Sequence, residues 1–176
     1  IMKKLKDLLK DDGMLCPSHL SIYAQLVECR NNNQPLGTYE IDYSLTNAYR
    51  YSDEYSSAKG LDYVDLSDPF LVAQWDLATV ENNDETNHGP FSIPITQDGV
   101  VSAVKFWFRL DTHPGHKVMS YKCNWDYALQ YLPEYVLRTG DEIEIQSKHD
   151  ANGFQFGVIP NDLKPHPTPR FDPRIV

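Results

Sequence analysis

Cysteine is scarce in this chain: three among 176 residues, at Cys16, Cys29 and Cys123, with no C-x-x-C spacing. Neither a disulfide framework nor a zinc ribbon is encoded, and a reducing compartment, cytoplasmic or nuclear, is the simplest expectation. No run of 18 apolar residues occurs, and the mean hydropathy of −0.50 leaves no candidate for a membrane-spanning helix. Also missing are an N-x-[ST] acceptor, a signal-peptide pattern, a Gly-rich phosphate cradle, a G-x-S-x-G elbow and a Walker sequence. Positive charge is in deficit: 16 Lys and Arg against 25 Asp and Glu give a formal net charge of −9. Nucleic acid is a poor match for that balance, because phosphate binding needs clustered cations, and basic peptides are a better one. An acidic surface kept only for solubility is the plainer alternative.

What the chain does have is a globular composition, 41% apolar and 12% aromatic, too rich for disorder. Its length suits one domain able to bury roughly 70% of its unfolded surface. The opening Ile1-Met2 is compatible with a piece cut from a longer chain. Met2, Leu5, Leu8 and Leu9 recur at helical spacing before Gly13, which predicts a short helix over residues 2–10. Met14-Leu15-Cys16 and the run from His19 to Glu28, with Leu20, Ile22, Ala24 and Leu26 on one side, predict two strands separated at Pro17. From Asn31 to Gly60 apolar periodicity is weak, and Tyr39, Tyr43, Tyr49, Tyr51 and Tyr55 crowd together. A projecting arm that meets a partner and a lid over the same domain both fit such a Tyr-rich stretch.

After Gly60 the pattern is that of strands. From Val100 to Leu110, Val100, Ser102, Val104, Phe106, Phe108 and Leu110 alternate with Val101, Ala103, Lys105, Trp107 and Arg109, which predicts a central strand. Gln97-Asp98-Gly99 and His113-Pro114-Gly115 read as turns in which Gly supplies positive φ. Glu142 to Gln146 repeats the alternation with Ile143 and Ile145 inward, and Phe154, Phe156 and Val158 repeat it again. One helical interruption is expected at Trp125 to Leu132, capped by Asn124 and ended by Pro133. Five prolines in residues 160–176 predict an extended tail. Short strands in this rhythm point to an antiparallel β-barrel or sandwich.

No reaction centre emerges from the residues themselves. His113-x-x-His116 has a metal-like interval but spans a turn, and no further ligand follows at the right spacing. Asp141, Glu142 and Glu144 cluster, yet Glu142 and Glu144 fall on the solvent side of the Ile143 and Ile145 strand.

The order of segments carries more. Leu8-Leu9-Lys10-Asp11-Asp12-Gly13-Met14-Leu15-Cys16-Pro17-Ser18, followed by Leu20 to Glu28, resembles the junction in protein arginine methyltransferases where the S-adenosylmethionine domain passes into a β-barrel. Trp75-Asp76-Leu77-Ala78-Thr79-Val80, Ile93-Pro94-Ile95-Thr96-Gln97-Asp98-Gly99-Val100, Trp107-Phe108-Arg109-Leu110 and Thr139-Gly140-Asp141-Glu142-Ile143 are similar to later barrel segments of that family, in the same order. Cys123-Asn124-Trp125 falls at the family's Thr-His-Trp loop.

The resemblance implies a mainly β fold, an antiparallel barrel or sandwich with a short N-terminal helix-strand remnant of an α/β methyltransferase domain and a protruding arm. Residues 1–28 would end the S-adenosylmethionine domain, 29–159 form the barrel with a dimerisation arm at about 31–60, and 160–176 form the tail. The arm would carry Tyr39, Tyr43, Tyr49, Tyr51 and Tyr55 into a homodimer contact, and Asn124 and Trp125 would touch substrate. The implied partners are basic, Arg-containing proteins, with no nucleic acid and no membrane. S-adenosylmethionine would serve the intact enzyme without binding this portion, since the family's Gly-rich cofactor sequence and paired glutamates would lie before Ile1. No catalytic residue and no metal site is carried over. Asn124 stands where the family has histidine and can neither become a cation nor relay a proton at neutral pH. A noncatalytic interaction module or degenerate methyltransferase repeat is therefore the alternative, and Trp125 is either a core anchor or a groove residue.

Overall fold

The predicted central strand is the spine of the molecule. The computed structural model describes residues 13–30, 56–58, 60–79, 86–113, 115–150 and 153–159. Among them run β1 (His19–Cys29), β2 (Ser56–Ser57), β3 (Tyr63–Asp65), β4 (Phe70–Asp76), β5 (Thr86–Pro94), β6 (Gly99–His113), β7 (His116–Met119), β8 (Ala128–Leu137), β9 (Glu142–His149) and β10 (Phe154–Val158), with a 3-10 turn at Ser120–Lys122. β6 pairs β1 on one edge and β8, then β7, on the other. β1 in turn pairs β4 and β3, and β2 pairs the start of β8. This large antiparallel sheet curls into a half-barrel over a smaller sheet of order β10-β9-β5.

The curl has two seams. On one side Ser67 bridges Ile95, and the Thr96 N–H donates to the Leu66 carbonyl at 2.9 Å. On the other, the Gln130 side chain of β8 bonds both the N–H and the C=O of Phe156 on β10, at 2.8 and 2.9 Å. Between the sheets lie Ile22, Ala24, Leu26, Leu66, Val101, Val104, Phe106, Leu132, Tyr135, Ile143, Ile145 and Phe156. Each fully buried aliphatic side chain there stabilises the fold by roughly 1.5–3 kcal/mol. A second apolar cluster, Val27, Cys29, Ala58, Ala103 and Leu129, covers the outer face of the large sheet. The middle of β6 is thus buried on both faces.

Several expectations change. The helix over Trp125 to Leu132 does not form: residues 123–125 are turn, and Ala128–Leu137 is strand β8. Leu129 packs outward into the second cluster and Leu132 inward into the main core, and the bulge at Pro133 then shifts the inward phase, so no single period of two runs through the strand. Pro133 is tolerated in the strand because the ladder to β6 skips from Tyr131 to Tyr135, a bulge that asks no donor of it. Met14-Leu15-Cys16 is not a strand, and Met14 is exposed. Three residues without a partner strand gain no ladder. Gly99 does not supply positive φ; a Cβ there would lie 2.6 Å from Glu28 Oε2 and 2.7 Å from Leu66 Cδ2, so the need is for space. Gly115 does adopt φ +82° in the β6–β7 hairpin. The division expected after residue 28 falls inside β1, whose strand partners all belong to the large sheet. The expected helix over 2–10, the five arm tyrosines and the tail from 160 lie outside the described residues.

Candidate functional site

Lys105 sits in the buried stretch of β6, where alternation puts it on the outer face beside Ala103 and Trp107. Only 3% of it is exposed. A lysine so placed needs a partner for its charge. Its Nζ bonds Asp65 Oδ1 of β3 at 2.7 Å and lies over two aromatic rings, 4.6 Å from the centre of Tyr63 and 4.8 Å from that of Tyr127. Burial raises the pKa of both phenols, that of Tyr127 to about 12, so each stays neutral and keeps its ring available to the cation.

Tyr127 ends the connection between β7 and β8, and Tyr121 stands near its beginning. Their rings stack at 4.6 Å with planes 10° apart, and both meet the edge or face of Trp107, at 5.4 Å for Tyr127 and 5.8 Å for Tyr121. Hydrogen bonds close the same base. Ser120 Oγ donates to the Asp126 carbonyl at 3.2 Å and accepts from Phe108 N–H at 3.3 Å, and Ala58 N–H donates to the Tyr127 carbonyl at 3.0 Å. Asp126 takes the left-handed conformation, φ 58°, and its carboxylate accepts the next N–H, Tyr127, at 2.8 Å. The loop is held at its neck.

At its tip stand Asn124 and Trp125, side by side and exposed. Trp125 is 66% exposed and rests on Phe108 of β6, ring centres 5.3 Å apart. It is therefore no core anchor. An indole with one side supported and the rest in water can accept an apolar or cationic group.

Beside the loop the outer face continues in Arg109, whose guanidinium donates to Tyr23 Oη at 2.6 Å and Ser21 Oγ at 3.3 Å and pairs with Asp111 at 3.0 Å. Tyr23 stacks on Trp107 at 6.0 Å. Arg109 Nε and Asp111 Oδ1 are buried and meet only as an ion pair, without hydrogen-bond geometry. The remaining candidates are structural: His113 and His116 stand exposed at a hairpin end, Asp141 accepts the Arg138 N–H at 2.8 Å, and Glu142 accepts the Ser92 hydroxyl at 2.7 Å. Among the described residues no group of three or more His, Cys, Asp or Glu is arranged to hold a metal.

Two clusters were not anticipated. The Lys105 cage joins residues from β3, β6 and the β7–β8 loop; its one sequence signal was a lysine inside an apolar strand. The other lies between β4 and the small sheet, where His88 Nε2 and His149 Nδ1 are hydrogen-bonded at 2.8 Å beside Trp75 and Phe154. Burial, and secondarily His149, lowers the His88 pKa.

No family model matches the chain, and no curated protein matches it by sequence. Among solved structures it is similar to a chain of the Trypanosoma brucei PRMT1 enzyme-prozyme heterotetrameric complex with AdoHcy, at 17% identity and a TM-score of 0.58, over 84% of this chain and 53% of that one. The chain spans about half the length of that structural relative. At this identity the likeness is one of fold: a mainly β, curled antiparallel half-barrel similar to that of a PRMT.

Proposed function

We propose that this chain is the β-barrel portion of a protein arginine methyltransferase-like protein, forming one wall of a groove for Arg-containing substrates. The observation that carries the reading is the exposed Trp125 at the tip of a tied loop, in a fold similar to that of the trypanosome PRMT1 complex. In such a protein a guanidinium nitrogen would attack the sulfonium methyl of S-adenosylmethionine, held by a neighbouring domain. The residues here would bind and orient: the Trp125 ring would receive the cation or its peptide, Asn124 would hydrogen-bond it, and the acidic net charge would draw basic chains in. Dimer contacts by the segment around residues 31–60, and its five tyrosines, belong to the same proposal.

The test is methyl transfer from S-adenosylmethionine to an Arg-rich peptide by these residues joined to the S-adenosylmethionine domain that the reading requires. Trp125→Ala should lower kcat/KM about tenfold or more while leaving the melting temperature unchanged. Activity unaffected by Trp125→Ala would overturn the loop's role, and no transfer from any Arg-rich substrate would favour the second reading. That reading, a noncatalytic partner subunit or repeat, draws on Asn124, which cannot supply the charge or proton of a histidine. Calorimetry of the 176 residues with S-adenosylmethionine should show no binding in either case.

A further inference from the structure

We infer that Lys105 is a positioning residue, whose buried cation fixes the neck of the Asn124–Trp125 loop and so holds the Trp125 ring in its receiving orientation. The inference rests on the reading of that loop as a recognition tip and adds what keeps it in place. Lys105 touches neither tip residue. It acts through Tyr127, the last residue of the loop, on whose ring it sits at 4.8 Å, and Tyr127 passes the constraint to Tyr121 by stacking at 4.6 Å. The two ends of the loop are thereby pressed together against Trp107.

Stability alone is a poor account of this lysine. An ion pair taken out of water is often no better than an apolar side chain of the same volume, because desolvation cancels most of the attraction. Asp65, its partner, has 48% of its side chain exposed and would return to water at little loss if the lysine charge were removed. What an apolar residue cannot replace is direction: an ammonium over two ring faces, desolvated and therefore strongly attracted, sets where those rings lie. The charge should therefore matter to the loop more than to the fold. Because burial holds the Tyr127 hydroxyl neutral up to about pH 12, the neck should not loosen as pH rises through the mildly alkaline range.

The chain labelled with 5-fluorotryptophan provides the readout, since its three tryptophans, Trp75, Trp107 and Trp125, give separate fluorine resonances assignable by single Trp→Phe changes. In Lys105→Met, which keeps the aliphatic stem and removes the charge, the Trp125 resonance should narrow and move toward the solvent-exposed position. Trp75, which is remote, should stay in place, and the melting temperature should hold or rise. Lys105→Arg, still a cation, should restore the wild-type Trp125 signal. Affinity for an Arg-rich peptide should fall about tenfold in Lys105→Met, a loss of preorganisation, and return in Lys105→Arg. Should Lys105→Met fail to fold, Tyr121→Ala removes the stack from its half-exposed end and should release Trp125 in the same way. A Trp125 resonance unchanged in folded Lys105→Met, or unchanged in Tyr121→Ala, overturns the inference. Release of Trp125 as described, with no peptide binding by the wild type, upholds the positioning and overturns the substrate-groove reading alone.

Discussion

Gln130 closes one seam of the half-barrel with a side chain where a strand would otherwise be needed. β10 gives one edge to β9, and the other edge of Phe156 faces β8, where the Gln130 amide both donates to its carbonyl at 2.9 Å and accepts from its N–H at 2.8 Å. Gln130 is 5% exposed and Phe156 likewise 5%, so neither backbone group can turn to water. Gln130→Leu keeps the volume and removes both partners. Leaving a buried polar group unmade costs about 1–3 kcal/mol, so two should cost about 2–6 kcal/mol, less whatever the apolar leucine regains. For a chain of this size each kcal/mol shifts Tm by roughly 2–4 °C, which predicts a fall of about 4–24 °C before the leucine's gain is subtracted.

Gln130→Ala opens space in which water can bond both groups, and should therefore cost less than Gln130→Leu although it removes more atoms. Gln130→Glu can accept from Phe156 N–H but can donate to its carbonyl only when protonated. Its folded pKa should be raised above the unfolded value of about 4.3, so its stability should be fully present below that value and lost as pH rises through the folded pKa. Urea unfolding followed by fluorescence and circular dichroism gives the free energies, and amide exchange at Phe156 reports the seam itself. The reasoning fails if Gln130→Leu costs under about 1 kcal/mol or leaves Phe156 exchange unchanged.

Acid should destabilise the protein well before its carboxylates titrate. The folded His88 pKa lies below its ordinary 6.5, so the unfolded chain takes the proton first, and stability present above 6.5 should drain away as pH falls toward the folded value. Melting at pH 7.5 and 5.5 should show this, and His88→Phe should flatten the difference; equal slopes in the two proteins would refute it. Gly99→Ala should cost about 1–3 kcal/mol in urea unfolding, because its Cβ would displace buried Leu66 and the Glu28 carboxylate that accepts Val100 N–H at 2.8 Å. Leu26→Ala, at a fully buried site between the sheets, should cost about 2–5 kcal/mol by the same measurement. A loss under 1 kcal/mol would mean the core collapses around the gap.

The candidate site was legible where it depended on local order. Asn124 and Trp125 were singled out from the order of segments, with a helix expected to start there; the structure has them instead in an exposed turn before β8. The cage behind them was not. Tyr63, Lys105 and Tyr127 converge from three separate elements, and a lone lysine in a strand does not say which rings it will meet. The His88 and His149 pair is 61 residues apart in sequence and joined only by the packing of the small sheet.

By itself, the sequence determined that the chain would be mainly β and where β1, β6, β9 and β10 would run, because alternation and turn residues act over a few neighbours at a time. Only the tertiary structure decided that residues 128–137 form a strand, that Pro133 lies in a bulge, and that Gln130 rather than a ladder joins the sheets. In β8 the bulge at Pro133 shifts the inward phase partway along, so no single alternation runs through it. Its conformation is fixed by partners distant in sequence, here β6 and Phe156, whose hydrogen bonds exist only after the sheets have met.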